Sequence, residues 1–246
     1  MSRGNEALLE AQSLSKHFGG TAALKQVSFS ARAGEIVGLI GPNGAGKTTL
    51  LNLLSGVLHP SRGRVLFEGR SLTGLKTHAV ARMGIARTLQ TPRSFQSMTV
   101  LENVAVGCLF GCPKRKAAEI HPHPLEMLRL VGLAARRDSP MASLNLQERK
   151  NVELARALAM APRVVLIDEA MSGLNPTEVE DSMRLIRRVR DETGVTIIWV
   201  EHLVKAIMQV VERIIVLNFG EVIATGSPAE IARNDAVIEA YLGTGA

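Results

Sequence analysis

Three apolar runs in the second half of the chain predict strands that are buried on both faces. They lie at 164–167, 195–200 and 214–217 and are rich in valine and isoleucine. Such runs are typical of parallel strands that are covered by helices on both sides. A similar run at 35–40 precedes a glycine-rich segment. The pattern therefore predicts an α/β core built on a parallel sheet.

The first part of the chain shows a different pattern, in which apolar and polar positions alternate between turn signals. The alternation is visible at 8–11 and 27–30, and a third segment at 64–67 precedes the Glu68-Gly69 turn. A period of two residues predicts strands with one face towards a core. These segments predict a small antiparallel sheet.

Helix starts are marked at several places in the remaining sequence. Thr99 with Glu102 matches a capping box, while Asn175 and Ser227 are each followed by a proline and then by a glutamate at the third position. Helical patterns dominate 95–160, where no run typical of a buried strand occurs.

We therefore predict a single domain over 1–246 with an inserted helical part. Its expected parts are an antiparallel β-subdomain at about 1–35 and 60–75, a nucleotide-binding core at about 35–60 and 160–226, a helical subdomain at about 95–160, and a C-terminal helical segment at 227–246.

Composition narrows the classes of partner. The net charge is +6, with basic clusters at 114–116, at 136–137 and along 184–190. Only 3% of the residues are aromatic, so stacking platforms for single-stranded nucleic acid are not expected. Solvated helix faces explain the basic residues best, followed by proximity to an anionic membrane and then by nucleic acid.

The chain also lacks the apolar segments that membrane insertion or secretion would need. No apolar run approaches the ~20 residues of a membrane span, and the first residues lack the apolar core of a signal peptide. We expect a cytoplasmic location.

Two cysteines and two histidines form the array Cys108, Cys112, His121 and His123. Their spacing is not a standard zinc spacing, and two prolines next to the histidines indicate a loop. A zinc site is therefore not expected.

Residues 41–49 read G-P-N-G-A-G-K-T-T, which matches the pattern of a phosphate-binding loop. The segment lies between a predicted strand and a predicted helix, as such a loop requires. Its residues are Gly41, Pro42, Asn43, Gly44, Ala45, Gly46, Lys47, Thr48 and Thr49. Backbone amides and the following helix N-terminus would bind phosphates, Lys47 would reach the β- and γ-phosphates, and the Thr48 hydroxyl would ligate Mg²⁺.

A second set of polar residues follows the buried strands. Asp168 and Glu169 come directly after the run at 164–167, and His202 follows the run at 195–200. Ligands bind at the carboxyl ends of strands in open α/β sheets. Asp168 is therefore a candidate metal ligand, and Glu169 is a candidate base that polarises the attacking water.

The order of these motifs, with Gln90 between them, resembles that of the ATP-binding cassette (ABC) family over essentially the whole chain. A closer resemblance is to the ATP-binding subunits of branched-chain amino acid importers. It is carried by four segments, 82–90, 98–104, 172–178 and 237–243.

The family resemblance implies several site residues and a fold. Phe18 would stack on adenine, the alternative being that it simply packs in the core. Gln90 would sense the γ-phosphate and Mg²⁺, and His202 would contact the γ-phosphate. The implied fold is an α/β phosphate-loop nucleoside-triphosphatase core of the RecA-like type, with an antiparallel β-subdomain and an inserted helical subdomain.

The family also implies that two cassettes pair head to tail, so that each closes the other's ATP with a signature segment. The corresponding residues are Leu144, Asn145, Leu146, Gln147 and Glu148, where the family usually has L-S-G-G-Q. Asn145 and Glu148 form a predicted capping pair, so a helix N-terminus would still face the partner's phosphate. Leu146 and Gln147 replace glycines and would crowd a close backbone approach. Asn175 stands where the family usually has aspartate, which places communication between the paired cassettes through this position in doubt.

These features predict an ATPase subunit at the cytoplasmic face of the cell membrane, which binds ATP and Mg²⁺ and powers import of branched-chain or related amino acids. Its partners would be a second cassette, separate membrane permease subunits and, indirectly, an extracytoplasmic solute-binding protein. The alternatives are import of an amide, urea or an aromatic acid, or a soluble cassette protein outside transport. A phosphate-loop GTPase is disfavoured because the base-reading N-K-x-D is absent, and a kinase is disfavoured because Asp168 and Glu169 followed by His202 favour hydrolysis over transfer to an acceptor.

The altered signature generates a prediction about asymmetry. We expect the ATP site on this chain to be competent, and the site that it completes on a partner cassette to hydrolyse more slowly. The measurement is transport after replacing the catalytic glutamate of either cassette. Complete loss on changing the partner's glutamate, with the Glu169 variant still active, would contradict the prediction.

Overall fold

The computed structural model describes residues 7–111 and 123–242. The chain divides into two units, Met1–Thr77 with Thr196–Ala246 and His78–Val195. Within the described ranges, no helix is long and apolar enough to cross a membrane.

The first unit contains a four-stranded antiparallel sheet, as the alternating pattern predicts. Its strands are β1 (Ala7–Phe18), β2 (Thr21–Arg32), β4 (Arg62–Phe67) and β5 (Arg70–Ser71), in the order β2-β1-β4-β5. Apolar side chains of β1 such as Leu9, Ala11 and Leu14 are buried. This sheet therefore packs one face against a core.

The first unit also contains three parallel strands. Strand β3 (Ile36–Ile40) pairs in parallel with β8 (Thr196–Val200) on one side and with β9 (Arg213–Asn218) on the other. Every residue of β3 and β8 is buried. Strand β10 (Glu221–Gly226) adds an antiparallel partner to β9.

Among the described residues, five helices lie wholly or partly in this unit, and most are short. They are α1 (Lys47–Leu54), α2 (Thr77–Met83, which crosses into the second unit), α7 (Val204–Ile207), α8 (Pro228–Ile231) and α9 (Asp235–Leu242). The helix that matters most for the site is α1, because it begins directly after the glycine-rich loop.

The second unit combines one parallel strand pair with the predicted helices. Strand β6 (Ile85–Arg87) pairs in parallel with β7 (Val164–Asp168). The helices are α3 (Val100–Phe110), α4 (Pro124–Leu130), α5 (Leu146–Ala159) and α6 (Pro176–Thr193). Two 3₁₀ turns, Ala134–Arg136 and Met141–Ser143, connect α4 to α5. The helical pattern of 95–160 is confirmed for its described residues.

The predicted helix starts are confirmed as capping boxes. In each box, the side chain of the capping residue accepts a hydrogen bond from the amide of a glutamate three residues later, and the carboxylate of that glutamate accepts one from the backbone amide of the capping residue. The capping residues are Thr99, Asn145, Asn175 and Ser227. A fifth box pairs His123 with Glu126, and the His123 Nδ1 accepts from the Leu125 amide.

Of the four residues considered as zinc ligands, Cys108 and His123 lie within the described part of the chain. His123 caps α4, and no cluster of metal-ligating side chains occurs among the described residues. Cys112 and His121 lie outside those residues, as does the basic cluster at 114–116. Arginines along α6 form exposed ion pairs, for example Arg184 with Asp181 and Arg188 with Glu192. These arginines therefore lie on an exposed face of α6 beside acidic partners.

A largely buried ion pair joins β2 and β9 to the segment before β3. Arg213 contacts Glu35 through Nε at 2.7 Å and Nη2 at 2.9 Å, and Nη2 also donates to the Ser30 carbonyl. Burial disfavours the Glu35 carboxylate, but the hydrogen bonds from Arg213 and from the Arg32 amide outweigh it and lower its pKa. The pair thus stabilises the charged form of Glu35.

We predict that Arg213→Ala lowers the free energy of unfolding by ~3–5 kcal/mol, because a buried carboxylate then loses its partner. The matched control is Lys25→Ala, whose ion pair with Glu221 is exposed, and which should cost at most ~1 kcal/mol. Urea denaturation at neutral pH measures both. Because folding lowers the pKa of Glu35, its contribution is complete above the unfolded value of about 4.3 and is lost as pH falls below it. Equal costs for the two variants would contradict the prediction.

Candidate functional site

The glycine-rich loop joins the end of β3 to the start of α1, and its backbone packs too closely for side chains at two positions. Gly46 caps α1 with φ 105°, and a Cβ there would lie 2.7 Å from Leu24 Cδ2 and 2.8 Å from the Ala23 carbonyl oxygen. At Gly41 (φ 154°), a Cβ would lie 2.2 Å from the Leu217 carbonyl oxygen. Glycine is therefore required at both positions.

Lys47 is the first residue of α1 and its side chain is folded against the loop. The Nζ donates to the carbonyl oxygens of Gly41 at 2.6 Å and Pro42 at 2.9 Å. The residue is buried, whereas the neighbouring Thr48 is exposed. The loop thus gathers an ammonium group, a helix N-terminus and an accessible hydroxyl, which together suit a phosphate group.

The turn after β9 is hydrogen-bonded to this loop. The Gly220 amide donates to the Ala45 carbonyl at 3.1 Å, and the Lys25 amide of β2 donates to the Gly220 carbonyl at 2.8 Å. These bonds connect β2, the β9–β10 turn and the loop.

Helix α9 also lies beside the loop, a contact that the sequence did not reveal. Residues of α9, of the loop and of the β9–β10 turn line an open cleft of about 640 Å³. Tyr241 is 39% exposed, and its partial burial raises its pKa to about 12, an effect that the nearby Gly41 amide opposes. Only proximity in the folded chain brings the C-terminal helix to residue 41.

The remaining candidates of the first unit are Phe18 and His202. Phe18 ends β1 and is 49% exposed, with Lys16 Nζ 5.2 Å from the centre of its ring, so it is not a core residue. His202 follows β8, and its half-exposed side chain places Nδ1 3.9 Å from Glu201 Oε2. Glu201 is fully buried and accepts a hydrogen bond from Trp199 Nε1 at 3.3 Å.

In the second unit, Asp168 ends β7 and pairs with an arginine that sequence reasoning missed. Arg87 ends the neighbouring strand β6, and its Nη2 lies 2.8 Å from Asp168 Oδ2. Both side chains are largely buried. Recognition of β6 as a strand parallel to β7 would have placed Arg87 beside the end of β7.

The structure brings Gln90 and Glu169 together. Gln90 Nε2 donates to Glu169 Oε2 at 2.6 Å. Glu169 has φ 47°, a left-handed conformation that is uncommon for residues other than glycine. The Lys150 Nζ donates to the carbonyl oxygens of Glu169 at 3.2 Å and Ser172 at 2.7 Å. The candidate base is thus held through both its side chain and its backbone.

The segment at 144–148 forms the amino end of α5. Asn145 caps the helix with Glu148, as predicted. Leu146 is 41% exposed, and Gln147 Nε2 donates to the Glu178 carbonyl at 3.3 Å. Gln147 is therefore directed towards α6, and the bulk at this helix end comes mainly from Leu146.

Comparisons with known proteins agree with these motifs. A model of the ABC transporter family matches residues 24–172, and one described as branched-chain amino acid ATP-binding cassette transporter matches 221–246.

Curated relatives match nearly the whole chain. The branched-chain amino acid transport ATP-binding protein BraF of Pseudomonas aeruginosa is 36% identical over 96% of this chain and 98% of its own length. LivG of Escherichia coli K12, a protein of the same description, is 36% identical over 97% and 99%. The lipopolysaccharide export system ATP-binding protein LptB of Acidithiobacillus ferridurans is 39% identical over 96% and 97%.

Solved structures of cassettes have the same fold. The ADP conformation of MJ1267, an ATP-binding cassette of an ABC transporter, superposes with a TM-score of 0.86 at 29% identity, over 98% of this chain and 100% of that one. The dimeric cassette MJ0796 gives a TM-score of 0.77 at 27% identity, over 89% and 98%.

The close packing at the loop generates a prediction. Gly46→Ala should cost roughly 1–3 kcal/mol more than Gly44→Ala, because the added methyl must displace Leu24 and the Ala23 carbonyl. Gly44 is the matched control: its φ is also positive (79°), but no atom lies within 4 Å of a Cβ there. Both variants bear the strain of a left-handed residue, so the difference in urea denaturation isolates the contact. Equal destabilisation would contradict the packing that we describe.

Proposed function

The chain belongs to the ABC transporter family of ATPases, and from this premise we propose that it powers an importer of branched-chain or related amino acids. The observation that carries the proposal is the loop at 41–49, which combines glycine-dependent close packing with a buried lysine at the start of a helix. That arrangement fits the phosphates of a nucleotide.

We assign the following roles in ATP binding. The loop amides and Lys47 hold the phosphates, and Phe18 supplies an exposed ring for the adenine. The Mg²⁺ ligands that we assign are Thr48, Gln90 and Asp168. Their hydroxyl, amide and carboxylate oxygens form the donor set that Mg²⁺ prefers. When bound, the ion would neutralise charge on the phosphates.

In hydrolysis, Glu169 accepts a proton from the attacking water and orients it. The hydrogen bond from Gln90 fixes the direction of the Glu169 carboxylate, which would then be held in one orientation toward the attacking water. His202 contacts the γ-phosphate through its half-exposed ring. These assignments follow the family motifs, and the pairing of Gln90 with Glu169 supports two of them.

A second cassette completes the proposed site. Asn145, Leu146 and Gln147 would face the nucleotide of the partner, and the capped amino end of α5 would direct amide groups at its γ-phosphate. The dimeric structure of the similar cassette MJ0796 supports pairing. The other partners that we propose are membrane permease subunits, which would hold this chain at the cytoplasmic face of the membrane, and indirectly a solute-binding protein.

The type of transport rests on the comparisons. BraF and LivG support amino acid import, and the match of 221–246 to the branched-chain model adds the C-terminal segment. LptB, an export protein, has a comparable sequence identity to this chain, and this makes lipid export a second candidate function. Import of amides, urea or aromatic acids is a third. The C-terminal match favours the first.

The proposal predicts that the transporter assembly, purified through a tag on this chain, hydrolyses MgATP. Lys47→Ala should abolish ATP binding, whereas Glu169→Gln should retain binding and reduce kcat by ~10²–10⁴-fold, because only the proton acceptor is lost. Phosphate release and binding of a fluorescent ATP analogue measure the two effects.

The solute is tested with the same assembly in vesicles. Leucine, isoleucine and valine, presented with the solute-binding protein, should stimulate hydrolysis, with urea, aromatic acids and lipopolysaccharide as competitors. Stimulation by lipopolysaccharide alone would replace import with export, and ATP binding that survives Lys47→Ala would overturn the assigned site.

A further inference from the structure

Three side chains on one face of α5 hold the two backbone segments that carry Gln90 and Glu169. Lys150, Glu153 and Arg156 are spaced by three residues, which places them along one side of the helix. We call them the α5 stripe. Together they form hydrogen bonds with segments 89–93 and 169–172.

Glu153 is the central residue of the stripe and is buried. Its carboxylate faces the backbone amides of Leu89 and Arg93, which lie on either side of Gln90, and it lies 3.6 Å from Nη2 of Arg156, which itself bonds to the Arg93 carbonyl. Burial raises the pKa of Glu153 to about 7, and Arg156 and the two amides offset only part of that effect. A carboxylate kept in such surroundings is costly to the fold, which indicates a role other than packing.

Arg156 holds the same segment from the next turn of the helix. Its Nη2 donates to the Arg93 carbonyl at 2.6 Å and lies 3.6 Å from Glu153 Oε1. Its guanidinium lies 5.7 Å from the centre of the Phe95 ring. Asn103 of α3, which is fully buried, bonds to both the amide and the carbonyl of Phe95. The backbone after Gln90 is therefore fixed at several consecutive points.

Lys150 holds the other partner. It donates to the carbonyl oxygens of Glu169 and Ser172, and so supports the left-handed backbone at Glu169. One helix face thus fixes both the donor and the acceptor of the 2.6 Å hydrogen bond between Gln90 and Glu169.

We propose that Glu153 is a positioning residue for ATP hydrolysis, which places Gln90 against Glu169 by fixing the backbone on both sides of Gln90. The inference rests on the proposed function as an ATPase, and it concerns a residue outside the nucleotide-binding motifs. Asn145 caps the same helix, at the end that would face the nucleotide of a partner cassette. Helix α5 therefore also connects that end to Gln90 and Glu169, which would act on the nucleotide bound to this chain.

The test compares Glu153→Ala with the unaltered chain in the purified transporter assembly. Loss of the carboxylate beside Leu89, Arg93 and Arg156 should lower kcat for MgATP roughly ten- to a hundredfold, because small displacements of catalytic groups have effects of that size. KM for ATP should stay within about twofold, since the contacts that are lost belong to the Gln90 segment and not to the phosphate loop. Glu153→Gln keeps one acceptor oxygen and should recover part of the rate.

Two further variants separate positioning from a general effect on the fold. Glu192→Ala removes an exposed glutamate at the far end of α6 and should leave kcat unchanged. If Glu153 acts through Gln90, its substitution should cause little further loss in a Gln90→Ala background, because both variants remove the same interaction. If Glu153→Ala does not fold, Glu153→Gln is used instead. It should cause a smaller loss of kcat, and this loss should again be absent in the Gln90→Ala background.

A kcat for Glu153→Ala within twofold of the unaltered chain would overturn the inference, as would losses that multiply independently in the double variant. Absence of hydrolysis by the unaltered assembly would be a different result, since it would overturn the proposed function itself.

Discussion

Close approach of backbone to backbone at the phosphate loop is the constraint on which the first unit depends. Gly46 packs on the strand β2 at Ala23 and Leu24, and Gly220 packs on the same strand from the β9–β10 turn. The loop can present its amides to an anion only if they are held in place, and here neighbouring backbone groups hold them. The antiparallel sheet is therefore part of the support of the site as well as an attached layer, since β2 fixes both the loop and the turn behind it.

In the second unit, side chains instead of neighbouring backbone groups hold the backbone of a site segment in place. The segment after β6 has no regular partner strand along 89–98, so its backbone groups need other hydrogen-bond partners. Arg156 and Asn103 supply hydrogen bonds from α5 and α3, and the Glu153 carboxylate faces the amides of Leu89 and Arg93. Polar networks of this kind give a single geometry only when all of their members are satisfied, and this explains why a buried carboxylate and a buried amide occur in an otherwise apolar helical layer.

The family assignment and the α/β fold are confirmed, whereas the roles of individual site residues remain proposals with geometric support.

Particular residues show how far the sequence could reach. The capping boxes at Thr99, Asn145 and Asn175 were predictable because a cap involves residues only three positions apart. Strand β6 was missed because three residues give too short a run for periodicity to reveal. The pairing of Arg87 with Asp168 was missed for the same reason, because it depends on the position of β6 beside β7. Tyr241 was likewise invisible as a neighbour of Gly41.

The sequence by itself determined the class of fold, the phosphate loop, the order of the motifs and the family, because these follow from local stereochemistry and from spacing along the chain. Only the tertiary structure decided which distant groups pair. Arg87 and Asp168 are 81 positions apart, and Arg213 and Glu35 are 178 apart. Such contacts arise from strand register and helix packing, which local propensity does not set. The role that we propose for Glu153 belongs to this second kind of information, because only packing of α5 brings it to the amides beside Gln90.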